Sequence, residues 1–255
     1  MRRTIESIEA FYKKSVIDPW GIDWRGSMQV RNFFYRDFVI RIAKKYFQEK
    51  KQLVILDIGC GSGVLSAILY DVLITNFPNI SYHAVDISRE AIERAHTYSH
   101  RDFISYRVVG QNFKDINGGP FDLIIGLEIL IYFEEIEFKQ FFNQLKSLLS
   151  SEGKIIFSSN IGINYSNDAY IDANILEKNF KKYFQICEIK DLYLNSYIDM
   201  FEQKFLTYAQ GNGVIEKLIK IYLYSPIIPH VIHILWNRWS TLKIPKKRNR
   251  AYLLL

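Results

Sequence analysis

The sequence predicts an α/β fold in which helices cover both faces of a doubly wound, mostly parallel sheet. Short apolar segments alternate with segments of helical length between about residues 53 and 160, which is typical of parallel sheets joined by right-handed crossovers. A glycine-rich turn directly follows the first apolar segment. Hydrophobic residues make up 49% of the 255 residues and charged residues 24%, as expected of a chain with a packed core.

The first two strands and helices are each marked by an apolar pattern and a clear end. Leu53–Ile58 is a short apolar run that predicts a buried parallel strand. Val64–Thr75 has helical length and is followed by polar residues and a proline. Ser81–Asp86 predicts the second strand. Ser88–His100 predicts the second helix, with Ser88 as its N-cap.

Three further strands complete the parallel part of the sheet. Ile104–Val109 predicts the third strand. Phe121–Gly126 predicts the fourth, because it follows the turn residues Asn117–Pro120. Phe138–Leu149 is an amphipathic helix, and Gly153–Ser158 predicts the fifth strand.

The pattern changes beyond Ser159. Ile171–Tyr183 predicts a helix, while Phe184–Ile189 and Phe201–Tyr208 predict two more strands. The chain therefore divides into three parts: an N-terminal helical cap or lid over residues 1–51, a core over residues 52–209, and an apolar, basic, helical C-terminal extension over residues 210–255.

The net charge of +6 is unevenly distributed. Residues 1–51 contain 12 Lys and Arg against 6 Asp and Glu, and residues 211–255 contain 8 against 1, whereas the middle of the chain is acidic. Basic ends suit phosphates, nucleic acid or an anionic membrane, or they simply keep the protein in solution. The two cysteines, Cys60 and Cys187, predict no disulfide framework, and the polar first residues predict no secretory signal, so we expect a cytoplasmic protein.

The turn Asp57–Gly63, with the sequence DIGCGSG, is the strongest indication of a ligand site. Glycines allow a sharp turn and a close approach of the backbone to a ligand, and a carboxylate before the turn can meet a cationic group. A dinucleotide-binding turn would have a small residue at position 64, where this chain has Val64. The spacing therefore favours a different adenosine-bearing ligand over NAD.

The ends of the next three strands add polar groups to the same edge. Asp86 ends the second strand and is placed to accept hydrogen bonds from ribose hydroxyls. Gly110–Phe113 and Gly126–Tyr132 end the third and fourth strands. Ligands of open α/β sheets bind at the carboxyl ends of the strands, so we expect these residues to form one crevice.

Residues from about 53 to 160 resemble the class I S-adenosylmethionine (SAM)-dependent methyltransferases. The resemblance rests on five motifs in order: LDIGCGSG, HAVDIS, VVGQNFKDI, FDLIIGLEILIYF and LLSSEGKIIFSS. It implies a seven-stranded, mostly parallel sheet whose last strand is antiparallel, with Phe184–Ile189 and Phe201–Tyr208 as the last two strands. It also implies SAM as the cofactor. No metal is expected, because His96 and His100, four residues apart on a predicted helix, have no apparent third ligand.

The resemblance implies a role for each matching residue. Asp57, Gly59 and Gly61 would line the methionine part of SAM, within a turn that includes Cys60 and Gly63. Asp86 would hold the ribose, with Ile87, Gln111, Asn112 and Phe113 around the adenine. The family often has an acidic residue where this chain has Gln111, so we expect weakened but retained binding there. Leu127 and Glu128 would lie near the methionine amino group and the transferred methyl.

Glu128 and Tyr132 are the candidate catalytic residues. They are four residues apart, so on a helical turn they would share one face and steer a substrate hydroxyl or amine. A purely packing role for Tyr132 is the alternative.

The N-terminal segment containing Phe11, Tyr12 and Asp18–Gly21 weakly resembles the nodulation-factor sugar N-methyltransferases, in which a helix covers the cofactor. The resemblance implies that Trp20 closes over the methyl site. Arg25 or Arg31 would pair with the SAM carboxylate, because guanidinium groups bind carboxylates in a bidentate way.

The sequence thus predicts methyl transfer to an oxygen or nitrogen of a small molecule, with a sugar of a surface glycan or a lipid-linked precursor as the favoured acceptor. A nucleic-acid or protein methyltransferase and an inactive SAM-binding protein are the alternatives. Nucleic acid is disfavoured because no N/D-P-P-Y motif follows the fourth strand. The oligomeric state is left open.

The apolar segment Val214–Leu242 contains Pro226 and Pro229 and is too interrupted to span a bilayer. Trp236 and Trp239 are followed by five basic residues between Lys243 and Arg250, which suits peripheral contact with the inner face of a membrane. Packing on the core or on a partner is the alternative.

Overall fold

The computed structural model describes residues 5–14, 26–110, 113, 115–162, 171–193 and 247–255, with a few residues between 213 and 235. The helices are α1 (Ile5–Lys14), α2 (Gly26–Phe47), α3 (Val64–Leu73), α4 (Arg89–Tyr98), α5 (Glu135–Leu148) and α6 (Ala173–Tyr183), with a 3₁₀ turn at Leu130–Tyr132. The strands are β1 (Leu53–Ile58), β2 (Ile80–Asp86), β3 (Ile104–Val108), β4 (Phe121–Leu127), β5 (Leu149–Gly162), β6 (Ile171–Asp172), β7 (Ile186–Tyr193) and β8 (Lys247–Leu254).

The strands form one sheet in the order β3-β2-β1-β4-β5-β8-β7, and the short β6 pairs with β5. β1 pairs in parallel with both β2 and β4, so the strand order reverses between β1 and β4. β8 runs antiparallel to both β5 and β7. The predicted doubly wound, mostly parallel sheet is confirmed.

Helices cover both faces because alternate strand residues point to opposite sides. Leu53 and Ile55 of β1 pack with α2, α3 and α4, whereas Leu56 and Ile58 pack with α5 and α6. The second face is rich in stacked aromatic rings, such as the pair Phe157 and Phe180, whose centroids are 5.7 Å apart.

The antiparallel strand comes from the end of the chain, which corrects the sequence interpretation. From the sequence the last strand is expected at Phe201–Tyr208, which lies outside the described residues. The strand between β5 and β7 is instead β8, so the expected 210–255 extension contributes a core strand. The run Ala251–Leu254 is fully buried. The basic residues before it obscured this strand, and Arg250 is neutralised in the fold by Asp191 and Glu177.

The predicted N-terminal helices are present as α1 and α2. α2 belongs to the body of the fold, because Phe38, Val39 and Ile42 are buried against the sheet layer. Arg41 of α2 also forms a two-bond ion pair with Glu188 of β7. Asp18–Gly21 of the same N-terminal segment lie outside the described residues.

Within the part of the chain that is described, no helix combines the length and apolar character that crossing a bilayer requires.

Candidate functional site

The glycine turn between β1 and α3 is built from residues that must be glycine. Gly59, Gly61 and Gly63 have φ angles of +73°, +56° and +74°, a region that side chains strongly disfavour. A side chain on Gly59 would collide with Ile129, and one on Gly61 would come within 2.9 Å of the Tyr12 hydroxyl. The amides of Gly59 and Cys60 donate to the Val85 carbonyl, which fixes the turn against β2.

Asp57 is a buried carboxylate at the base of this turn. Its Oδ2 accepts hydrogen bonds from Ser66 Oγ at 2.6 Å and from the Tyr82 hydroxyl at 3.0 Å. Burial, helped by the charge of Asp86, raises the pKa of Asp57 to about 6 against the lowering effect of those two donors. The position therefore favours a ligand that brings positive charge.

Asp86 lies at the end of β2, beside the turn. Its two carboxylate oxygens accept from the Gly61 amide at 2.8 Å and the Ser88 amide at 2.9 Å. Burial raises its pKa, and these backbone donors oppose the rise. Ser88 in turn caps α4 by accepting from the Ala91 amide, as predicted. The Ile87 amide acts on the same carboxylate, so at least one of its four acceptor sites remains for a ribose hydroxyl.

Of the residues predicted to surround the adenine, the structure describes Ile87 and Phe113. Ile87 is partly buried and packs against Ile8 and Tyr12 of α1. Phe113 is buried with φ +57°, and its ring stacks on Phe133 in the aromatic core under α5. Gln111 and Asn112 lie outside the described residues, so the adenine contacts of this loop stay a prediction.

Glu128 sits at the carboxyl end of β4, directly after Leu127, with φ +62°. Its Oε1 accepts hydrogen bonds from Ser158 Oγ at 3.0 Å, from the Tyr35 hydroxyl at 3.1 Å and from Asn249 Nδ2. Asn249 Nδ2 also donates to Asn160 Oδ1 at 3.1 Å. We call these five residues, Glu128, Tyr35, Ser158, Asn160 and Asn249, the Glu128 cluster.

The Glu128 carboxyl has a pKa raised by burial. The Asn249 donor, the charge of Arg31 and the hydroxyls of Ser158 and Tyr35 all act in the opposite direction. Arg31 of α2 thus acts on the predicted site electrostatically, and its contact with the SAM carboxylate stays a prediction. Trp20 and Arg25 lie outside the described residues.

The expectation that Glu128 and Tyr132 share one helical face is wrong. The positive φ of Glu128 places it in the left-handed region, so no right-handed helix runs through it. The 3₁₀ turn begins only at Leu130, and the Tyr132 amide donates to the Ile129 carbonyl. Glu128 and Tyr132 therefore do not lie on the same helix, and helical spacing does not fix the position of one side chain relative to the other.

α1 crosses the start of α4 and reaches the glycine turn. Glu9 accepts from the Arg89 amide at 2.6 Å and from the Glu90 amide at 3.4 Å, and Arg94 donates to the Tyr12 carbonyl. Ile8 and Tyr12 are buried against Ala91. This position is where a lid would lie, and its movement stays a prediction.

Several site residues were not found from the sequence. Tyr35 lies one helical turn after Arg31, which is the only signal that could have marked it. Asn249 lies in the basic run that was predicted to belong to the C-terminal extension. Ser66 and Tyr82 contact Asp57 only because β1, β2 and α3 pack together, which residue spacing does not reveal.

Cys60 is partly buried, and burial raises the pKa of its thiol, so it is no ready nucleophile. No group of metal-binding side chains occurs among the described residues.

An open α/β sheet with this strand order, and with buried carboxylates at the ends of β1 and β2, defines the class I methyltransferase fold. Two solved structures of that fold are similar to this chain. The N-methyltransferase NodS of Bradyrhizobium japonicum, in complex with S-adenosylhomocysteine, has a TM-score of 0.56 and 17% identity, over 74% of this chain and 90% of that one. The magnesium protoporphyrin IX methyltransferase of Synechocystis, with bound SAM, also has a TM-score of 0.56, with 13% identity over 98% of this chain and 95% of that one.

The sequence comparisons identify the family. Residues 49–213 match the family described as "Methyltransferase domain", so the chain belongs to it and is a class I SAM-dependent methyltransferase by family and fold. An uncharacterized protein of Methanocaldococcus jannaschii is 30% identical over 192 residues, which cover 72% of this chain and half of that protein. The ubiquinone biosynthesis O-methyltransferase of Rickettsia typhi is 23% identical over 184 residues, covering 68% of this chain and 70% of that enzyme.

Proposed function

We propose that this protein transfers the methyl group of SAM to an oxygen or nitrogen of a small molecule, with the crevice at the ends of β1, β2 and β4 as the active site. The observation that supports this most is the convergence there of Asp57, the glycine turn, Asp86 and Glu128. These strands are neighbours in the sheet, at the point where the strand order reverses.

The residues present fit SAM. The glycine turn leaves the backbone open to close approach, and Asp86 offers acceptor lone pairs for ribose hydroxyls. Asp57 is a buried carboxylate whose raised pKa a cationic ligand would lower. When bound, SAM supplies an activated methyl group on a positively charged sulfur. The protein then orients the acceptor and excludes water, which accounts for much of the rate in an in-line displacement.

Glu128 is the group that we assign to the acceptor side. It directly precedes Ile129, whose side chain packs so close to Gly59 that a Cβ there would collide with it, so Glu128 lies next to the glycine turn. A carboxylate next to the turn can orient an O–H or N–H group and take up its proton. Tyr132 is partly exposed on the following 3₁₀ turn and is the second candidate for orienting the acceptor.

For the acceptor we propose a sugar of a surface glycan or a lipid-linked precursor, reached at the inner face of a membrane. The membrane contact, though not the choice of a sugar, is supported by the exposed apolar residues of the C-terminal segment: Ile227, Val231, Ile234 and Leu235. The other side of that segment is held on α2, where His233 pairs with Asp37 at 3.2 Å and packs on Phe34. One side is thus anchored and the other faces outward.

Sedimentation with anionic vesicles tests the membrane proposal. We expect the full chain to pellet with the vesicles at low salt and to be released at high salt. The variant Ile234→Asp/Leu235→Asp should stay in the supernatant, and Tyr98→Asp, a change at an exposed apolar residue on α4, should behave as the wild type. Full-length protein that stays soluble with anionic vesicles at low salt would contradict membrane contact.

Activity is tested by release of S-adenosylhomocysteine from SAM with panels of amino sugars, sugar alcohols, phenols and small amines. We expect turnover with at least one panel, and lower turnover in Asp86→Ala when SAM is below saturation. Failure of SAM to bind would contradict the proposed function itself. Binding of SAM with turnover only on a nucleic acid or protein would contradict the small-molecule acceptor.

A further inference from the structure

The Glu128 cluster and Asp86 lie on opposite sides of the point where the strand order reverses. Asp86, predicted to hold the ribose, ends β2 on one side of the strand-order reversal. Glu128, Asn160 and Asn249 belong to β4, β5 and β8 on the other side or directly follow them. The contact of Ile129 with Gly59 keeps the cluster next to the glycine turn. The cluster is therefore placed beside the turn that is predicted to hold the methionine part of SAM, where an acceptor would have to meet the methyl group.

Two acceptor atoms of the cluster, Glu128 Oε2 and Asn249 Oδ1, receive no hydrogen bond from the described residues. All of the hydrogen bonds that the described residues donate to Glu128 end on Oε1. Within the described part of the chain, the Asn249 side chain forms two hydrogen bonds, and both use its Nδ2 as donor, to Glu128 and to Asn160. The Oδ1 of Asn249 is fully buried and has no partner within the described part of the chain. A buried acceptor without a donor costs about 1–3 kcal/mol, and native proteins seldom leave one unsatisfied.

We propose that Glu128 and Asn249 form the acceptor subsite, which receives the O–H or N–H group that is to be methylated. This inference rests on the proposed function and makes it more specific. Glu128 Oε2 and Asn249 Oδ1 both accept hydrogen bonds, so a hydroxyl or an amine fits them. A carboxylate acceptor fits poorly, because it brings acceptor oxygens to a subsite that offers acceptor oxygens.

The transfer step balances with these groups. The lone pair of the acceptor oxygen or nitrogen forms the bond to the methyl carbon. The bond between that carbon and sulfur breaks, and its electron pair goes to sulfur, which becomes a neutral thioether. The proton of the O–H or N–H group passes to the Glu128 carboxylate and from there to water.

Asn249 is a positioning residue in this arrangement. Its Nδ2 fixes Glu128 Oε1, and it opposes the rise that burial causes in the pKa of Glu128. Loss of this donor raises that pKa further and frees the carboxylate to move, so the subsite binds donors less well. Arg31 acts on the same carboxyl from α2 and stays in place in the variants below.

Calorimetry with two cofactor analogues tests the subsite without knowledge of the acceptor. Sinefungin has an amine in the place of the methyl group that SAM transfers, whereas S-adenosylhomocysteine has no group there. We expect the wild type to bind sinefungin about 10-fold more tightly than S-adenosylhomocysteine, which is the factor that about 1.4 kcal/mol gives. Glu128→Gln and Asn249→Leu should lose most of this preference.

The control is Ser159→Ala, because Ser159 is equally buried on β5 and its hydroxyl has no partner among the described residues. It should keep the preference. If Asn249→Leu does not fold, Glu128→Gln decides, with its fold verified by thermal unfolding. An unchanged ratio of the two affinities in the variants, or no preference in the wild type, would overturn the subsite. Failure of the wild type to bind either analogue would instead contradict the proposed function.

Discussion

Asp57 and Asp86 show how single residues set the chemistry of this site. Each is buried, and each has a raised pKa because burial disfavours its charged form. Hydrogen bonds from Ser66 and Tyr82, and from the Gly61 and Ser88 amides, offset this only in part. Carboxylates kept in such positions weaken the empty fold, and a cationic, hydroxyl-bearing ligand relieves that cost.

Asp57 predicts a specific dependence of stability on pH. Its folded pKa of about 6 lies above the ordinary value of 3.8, so the folded state binds the proton more tightly than the unfolded state. This group therefore destabilises the protein at pH 7 by about 3 kcal/mol, and the loss is recovered as pH falls from about 6 toward 4. Asp57→Asn should be more stable than the wild type at pH 7, and the difference should shrink at pH 5.

Urea unfolding of the ligand-free protein at pH 7 and pH 5 measures the effect. Asp71→Asn, at an exposed residue paired with Arg101, is the control for a general charge effect. A difference between Asp57→Asn and wild type that is the same at both pH values would contradict the assignment.

At the scale of elements, α1 lies next to the glycine turn that is predicted to bind the cofactor. Its Tyr12 hydroxyl lies over Gly61, and Glu9 holds the helix on the first amides of α4. We predict that the segment from Phe11 to Arg31 becomes more protected from hydrogen exchange when S-adenosylhomocysteine binds. Glu9→Gln, which weakens the anchor, should raise exchange across α1 in the ligand-free protein. Equal protection of this segment with and without ligand would favour a fixed packing role.

The same elements show what the sequence could predict. β1, α3, β2 and α4 have apolar runs bounded by glycine, proline or an N-cap, and each was located to within a few residues. The glycine turn, Asp57 and Asp86 were found because their chemistry depends on local spacing. Asn249 and Tyr35 were missed because they meet Glu128 only after distant elements pack together. β8 was missed because its first half is a basic run, and Glu128 was misplaced on a helix because its positive φ has no signature in a non-glycine residue.

For the whole molecule, the end of the chain completes the sheet. β8 lies between β5 and β7, and Tyr252, Leu253 and Leu254 are fully buried. A chain ending near Gln210 would lose this strand, and with it the strand pairing that holds β7. We predict that this truncation abolishes cooperative thermal unfolding, whereas removal of Leu255 alone, which is partly exposed, should lower the midpoint by only a few degrees. A truncated chain with a cooperative transition like that of the full chain would show that β8 is dispensable.

The central claim is that SAM binds where the ends of β1 and β2 meet, and its affinity for Asp86→Ala tests this most directly. Calorimetry at pH 7.5 should show a loss of about 5- to 150-fold, the equivalent of roughly 1–3 kcal/mol for lost ribose hydrogen bonds. Asp102→Ala, at an exposed residue near the far end of α4, should bind SAM as the wild type does. Unchanged affinity in Asp86→Ala, with the protein folded, would contradict this assignment.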